Sequence, residues 1–132
     1  MHLKIHTDGG ARGNPGPAAL GYVLEYDGKK EKFKKFLGVA TNNQAEYEAI
    51  IAALSRAKAL KAETVDLYSD SELIVNQLSQ KYKVKDKNLA KLFVKVWNLT
   101  LYFKKIKFIH IYREANKQAD ALVNEALDAQ SS

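Results

Sequence analysis

Three consecutive stretches with strand periodicity, followed by a long stretch with helix periodicity, constrain this chain more than any other feature. Residues 3–8 alternate, with Leu3, Ile5 and Thr7 on one side and Lys4, His6 and Asp8 on the other, the two-residue repeat of a half-buried strand. The glycine- and proline-rich run from Gly9 to Pro17 reads as a turn. Residues 18–26 read as a second strand, and Asp27-Gly28 closes a hairpin onto a returning strand at 30–39. Thr41-Asn42 stands where a helix is capped, and apolar residues then recur at helical spacing to about Leu60. A strand at 64–69, a short helix at 71–78 and a lysine-rich connection at 80–87 follow. A helix from about 88 to 102, a strand at 105–112 and a helix at 116–127 complete the pattern. A hairpin start followed by alternating elements predicts an α/β fold, with one mixed sheet and helices against its faces.

A chain of 132 residues is long enough to bury one core. No repeat, low-complexity segment or linker interrupts residues 1–127, which read as a single domain, and 128–132 read as a short frayed tail. Cysteine is absent, which excludes disulfides and thiolate metal sites. Any metal must then be held by carboxylates, histidines or backbone oxygens. Polar residues stand at the N-terminus where a signal peptide needs an apolar run, and no stretch is long and apolar enough to span a membrane. A cytoplasmic protein with no membrane partner is expected. Lysine and arginine outnumber the acids 21 to 15, a net charge of +6, which favours a polyanionic partner.

Four acids stand apart from ordinary surface acids. Glu46 falls within the apolar stripe of its helix, four residues before Ile50, with Ala53, Leu54, Ala57 and Leu60 continuing the stripe. Glu48 lies on the opposite side, expected to be solvated. A carboxylate aimed inward is costly unless a charge or hydrogen bonds compensate it. Asp8 ends the first strand and Asp70 the fourth; each taken alone would serve a turn or a helix cap. Asp120 borders the stripe of Ala119, Val123 and Leu127 in the first turn of the last helix, where the helix dipole favours an acid. If the first and fourth strands are neighbours, several carboxylates converge at one sheet end, and they repel unless a divalent cation neutralises them. Oxygen-only ligands select a hard metal such as Mg²⁺.

The chain resembles the type 1 ribonuclease H family. The matching motifs are Thr7-Asp8-Gly9-Gly10-Ala11-Arg12-Gly13-Asn14-Pro15-Gly16, Thr41-Asn42-Asn43-Gln44-Ala45-Glu46, Tyr68-Ser69-Asp70-Ser71 and Arg113-Glu114-Ala115-Asn116-Lys117-Gln118-Ala119-Asp120. They occur in the family's order and cover essentially the whole chain. The resemblance implies a ribonuclease H-like fold: a five-stranded mixed sheet, its first three strands antiparallel, with helices on both faces. It implies an endonuclease that hydrolyses the RNA strand of RNA–DNA hybrids with two Mg²⁺ ions, for which Mn²⁺ can substitute, leaving 5′-phosphate and 3′-hydroxyl ends. Asp8 would bridge both ions, Glu46 and Asp70 would complete one site, and Asp120 the other. Asn14, Asn42, Asn43 and Gln44 match positions that line the minor groove, where amides can both donate to and accept from a 2′-hydroxyl. Thr41 and Asn88 match a pocket for a DNA-strand phosphate, although Asn88 could equally cap its helix.

Two departures from the family pattern point to a compact form. The loop histidine before the last aspartate is missing from 113–119, and His110 sits within an apolar strand. Arg113 is the candidate to reach the phosphate, with a plain surface arginine as the competing reading. The basic protrusion that grips hybrids is replaced by Lys81-Tyr82-Lys83-Val84-Lys85-Asp86-Lys87. A monomer is expected. Cleavage of double-stranded RNA stays open, as do a non-catalytic nucleic-acid-binding domain and a DNA nuclease on the same fold.

Overall fold

The structure, a computed structural model, describes residues 1–131. The strand periodicity at the N-terminus resolves into β1 (His2–Ala11), β2 (Gly16–Tyr26) and β3 (Lys29–Ala40). These are followed by α1 (Asn42–Ala59), β4 (Thr64–Ser69), α2 (Glu72–Leu78), α3 (Lys87–Thr100) and β5 (Lys105–His110). A 3-10 turn (Arg113–Ala115) then leads into α4 (Lys117–Ser131). The five strands form one mixed sheet in the order β3-β2-β1-β4-β5. β1 to β3 are antiparallel neighbours, while β1–β4 and β4–β5 are parallel pairs.

Helices cover both faces. On one side Leu3, Ile5, Leu20, Leu24, Val65 and Leu67 meet Ile50, Ala53 and Leu54 of α1, and Leu89 and Val96 of α3 join the same core. Burying a large apolar side chain contributes about 1.5–3 kcal/mol, so this cluster fixes α1 against β1. On the other side α4 places Val123, Ala126 and Leu127 against Ala19 and Phe36. β2 lies under both layers, and its residues from Ala18 to Leu24 are all buried. That explains why it lacks the alternation of β1. Gly21 lets α4 approach: a Cβ there would stand 2.8 Å from that of Leu122.

Several boundaries differ from the sequence expectation. β1 does not turn at Gly9 but runs on to Ala11, its ladder with β2 continuing through Gly9–Leu20 and Ala11–Ala18. Asp8 therefore sits within the strand, opposite Gly21. β5 stops at His110, where the 3-10 turn takes over. α4 continues past Leu127 to Ser131, so the expected frayed tail is helical there, with Asp128 paired to Arg12 at 2.6 Å; Ser132 lies outside the described residues. Glu48, expected to be solvated, is half-buried.

The two edge strands are rich in lysine. β3 exposes Lys29, Lys30, Lys32, Lys34 and Lys35, and β5 exposes Lys105 and Lys107. Among the described residues no helix is long and apolar enough to cross a membrane.

Candidate metal centre and nucleic-acid interface

The last pair of the β1–β4 ladder is His6 with Tyr68, whose rings stack at 4.7 Å. Asp8 and Asp70 each lie two residues further on, so the strand repeat sets them side by side past the end of the ladder. α1 brings Glu46 from the opposite face. A Cβ on Gly9 would stand 2.2 Å from the Ala45 backbone; with none present, the first turn of α1 presses directly on β1. Glu46 accepts from the Gly9 backbone N–H and from the hydroxyl of fully buried Ser69 at 3.3 Å. The first turn of α4 brings Asp120 to Asp8 from the other face, where its charge and a hydrogen bond act on the Asp8 carboxyl.

Asp8, Glu46 and Asp70 each offer a carboxylate oxygen within 4.8 Å of the others. Asp8 is 8% exposed and Glu46 7%. Burial pushes Asp8 from 3.8 up to about 7; a hydrogen bond with Glu46 opposes the shift, and the charges of Asp70 and Asp120 add to it. Glu46 is held well above the usual carboxylate range, first by burial and then by the Asp8 charge, with the Gly9 N–H acting against this. No lysine or arginine among the described residues forms an ion pair with these three acids. A crowded all-oxygen donor set without its own counter-charge fits a hard divalent cation, whose binding would displace the retained protons.

These three acids and Asp120 line one open cleft of about 450 Å³, together with Arg12, Asn42, Asn43, Ser71 and Arg113. Arg113 is 80% exposed and its guanidinium lies 3.8 Å from Asp120, so it overhangs the acids. His110 is the exposed last residue of β5, edge-on to the Tyr112 ring, and does not line the cleft.

The amide-bearing residues separate into two groups. Asn14 Oδ1 accepts from the Asn42 N–H at 3.0 Å, and Asn42 Oδ1 accepts from the Ala11 N–H at 2.8 Å. Both side chains thereby tie the β1–β2 turn to the start of α1. Thr41 and Gln44 form a reciprocal capping box at 2.9 and 3.1 Å, so their side-chain oxygens already serve the helix. Asn43 borders the acid cleft and also a second one of about 230 Å³, which Asn14, Thr41, Gln44, Asp86 and Asn88 share. Asn88 does not cap α3; Asp86 does, accepting from the Leu89 N–H at 3.0 Å. Asn88 is thus exposed and uncommitted at that second cleft.

Two residues escaped the reading of the sequence. Ser69 holds the Glu46 carboxylate, and Asn116 donates to Asp70 Oδ2 at 3.3 Å and to the Thr7 carbonyl at 2.9 Å. Both lie in quoted motifs, yet a strand serine and an asparagine before a helix each have an ordinary local explanation.

The chain matches the family model described as "Reverse transcriptase-like" over residues 6–126. It is 41% identical to a bifunctional protein of Mycobacterium tuberculosis over 98% of this chain and 36% of that protein. It is 42% identical to ribonuclease HI of Halobacterium salinarum over 95% of this chain and 65% of that protein. The chain therefore spans roughly a third to two thirds of these curated relatives. A ribonuclease H of Clostridium botulinum is 37% identical, with 94% of each chain covered. Among solved structures, RNase H1 from Halobacterium salinarum superposes with a TM-score of 0.93 at 40% identity, covering 98% of this chain and 99% of that one. LC11-RNase H1, solved in complex with an RNA/DNA hybrid, gives 0.93 at 42% identity over 98% and 99%. With the expected five-stranded mixed sheet observed and the motifs brought together at one sheet end, the chain belongs to the ribonuclease H family.

Proposed function

We propose that this protein is a metal-dependent endonuclease that cuts the RNA strand of RNA–DNA hybrids, leaving 5′-phosphate and 3′-hydroxyl ends. The observation that carries the reading is the convergence of Asp8, buried Glu46 and Asp70 within 4.8 Å, with no ion pair to a lysine or arginine among the described residues. Mg²⁺ is the ion of choice, since oxygen donors and an open cleft suit a cation that keeps water and takes substrate phosphate, and Mn²⁺ can substitute. Two bound ions supply charge neutralisation for in-line attack of water and for the departing 3′ oxygen.

The chain's own groups do the holding. Asp8 has Glu46 and Asp70 on one side and Asp120 on the other; Glu46 and Asp70 would hold one cation with it, and Asp120 would hold a second. Arg113 overhangs the Asp120 side and meets the phosphate. Asn43 and the amide NH₂ groups of Asn14 and Asn42 face the minor groove, with Gln44 beside them, where a 2′-hydroxyl distinguishes RNA from DNA. Thr41 and Asn88 at the second cleft take a phosphate of the DNA strand. The absence of a histidine at 111–119 and the short connection at 79–86 support the reading of a compact form, acting as a monomer. A cysteine-free chain with no membrane-length helix among the described residues suits a cytoplasmic enzyme made of residues 1–127 plus the end of α4.

The test is cleavage of end-labelled hybrid, double-stranded RNA and double-stranded DNA with Mg²⁺ or Mn²⁺, with chelator, and with Asp8→Asn. Metal-dependent cutting of the hybrid's RNA strand, abolished in Asp8→Asn, is expected. Cutting confined to DNA would sink the substrate assignment. No metal-dependent product from any substrate would leave a non-catalytic binding domain.

A further inference from the structure

Asn116 immediately precedes α4, the position at which an asparagine side chain ordinarily accepts a hydrogen bond from the first helical turn. Its backbone behaves accordingly, the carbonyl taking the Asp120 N–H at 3.1 Å. Its side chain does not. Oδ1 is buried with no hydrogen-bond partner among the described residues, so the capping bond is unmade. Instead Nδ2 donates to the Thr7 carbonyl at 2.9 Å and to Asp70 Oδ2 at 3.3 Å. The residue is only 1% exposed, so this orientation is fixed by packing rather than chosen by solvent.

A helix-capping asparagine would orient its oxygen toward the helix; this one presents its NH₂ to the site and leaves the oxygen unsatisfied. Its side-chain bonds and its carbonyl reach segments that bear three of the acids. Thr7 precedes Asp8, Asp70 is bonded directly, and the Asp120 N–H rests on its carbonyl. A donor on Asp70 Oδ2 also limits how that carboxylate can rotate beside Asp8 and Glu46.

We propose that Asn116 is a positioning residue that holds the Asp70 carboxylate in its ion-binding orientation and ties it to β1 and α4. The proposal rests on the reading of the acids as a cation site. Groups that orient metal ligands cost about 10- to 100-fold in affinity or activity when removed.

Asn116→Ser and Asn116→Asp are both good helix caps, but serine is too short to reach Asp70 and aspartate has no NH₂ to give. Mn²⁺ binding is measured by calorimetry, and kcat and KM by hybrid cleavage at saturating Mg²⁺, with thermal melts alongside. Both variants are expected to fold, to bind Mn²⁺ with altered affinity, weaker by roughly tenfold or more in Asn116→Ser, and to lose kcat with KM little changed. Wild-type kcat and Mn²⁺ affinity in folded Asn116→Ser would overturn the proposal, as would a lowered melting temperature with both constants unchanged. A wild-type protein that neither binds Mn²⁺ nor cleaves would instead overturn the reading of the acids, and this inference with it.

Discussion

Asp8 is flanked by acids from both faces of the sheet, and its carboxyl is pushed up to about 7 while an unfolded chain would titrate near 3.8. Between those values the folded, metal-free protein holds a proton that the unfolded chain releases. The stability linked to that proton is therefore full below about pH 4 and is lost as pH rises through about 7. Glu46 acts in the same direction. In chelator, Asp8→Asn is expected to melt higher than wild type at pH 8 by on the order of 5 °C, and the gap should close toward pH 4. Mg²⁺ should stabilise the wild type far more at pH 8 than at pH 5; equal stabilisation at both would refute the linkage. Arg113 is a second test at this scale. Losing a charge-assisted contact worth about 1.5 kcal/mol would lower turnover on the order of tenfold, so Arg113→Ala should be slower than His110→Ala. The reverse ranking would remove Arg113 from its proposed place. Glu46 was legible in the sequence because helical spacing alone puts an acid among apolar residues. Asn116 was not, because its side-chain partners lie at Thr7 and Asp70 and only the fold brings them near.

The packing of α1 on β1 depends on one missing side chain. At Gly9 a Cβ would stand 2.2 Å from the Ala45 carbonyl, whereas at Gly10 the nearest atom is Val123 Cγ1 at 3.7 Å. Gly9→Ala should destabilise the protein by about 1–3 kcal/mol and weaken Mn²⁺ binding, because it pushes the turn that carries Glu46 off the strand. Gly10→Ala should stay within about 0.5 kcal/mol. Chemical denaturation of both variants checks the contrast, and equal effects would mean that the close approach is not what Gly9 provides. The same glycines mislead a reading of local sequence. Gly9-Gly10 looks like a turn, yet the ladder with β2 carries the strand through them to Ala11. Propensity speaks for each residue alone, while the ladder is set by strands that the sequence cannot show in register. The order of elements was legible for the opposite reason: long periodic stretches survive errors of two or three residues at their ends.

At the scale of the whole molecule, a chain with net charge +6 carries an acidic cleft. On the proposed reading, that net charge would draw a polyanion in, and the acids would repel it until cations are bound. KM for hybrid should therefore rise steeply between 50 and 200 mM salt, on a log–log slope of about 0.9 per phosphate contact, with kcat far less affected. A flat KM would mean that the lysines contribute little to binding. The lysines on the sheet margins also have a second consequence. β3 and β5 each end the sheet with unpaired backbone groups, which are templates for strands of other chains, and charged side chains along them keep such chains apart. Acetylating Lys29, Lys30, Lys32, Lys34, Lys35, Lys105 and Lys107 would leave the sheet itself intact but remove that repulsion. The protein would then be expected to self-associate along its own edges.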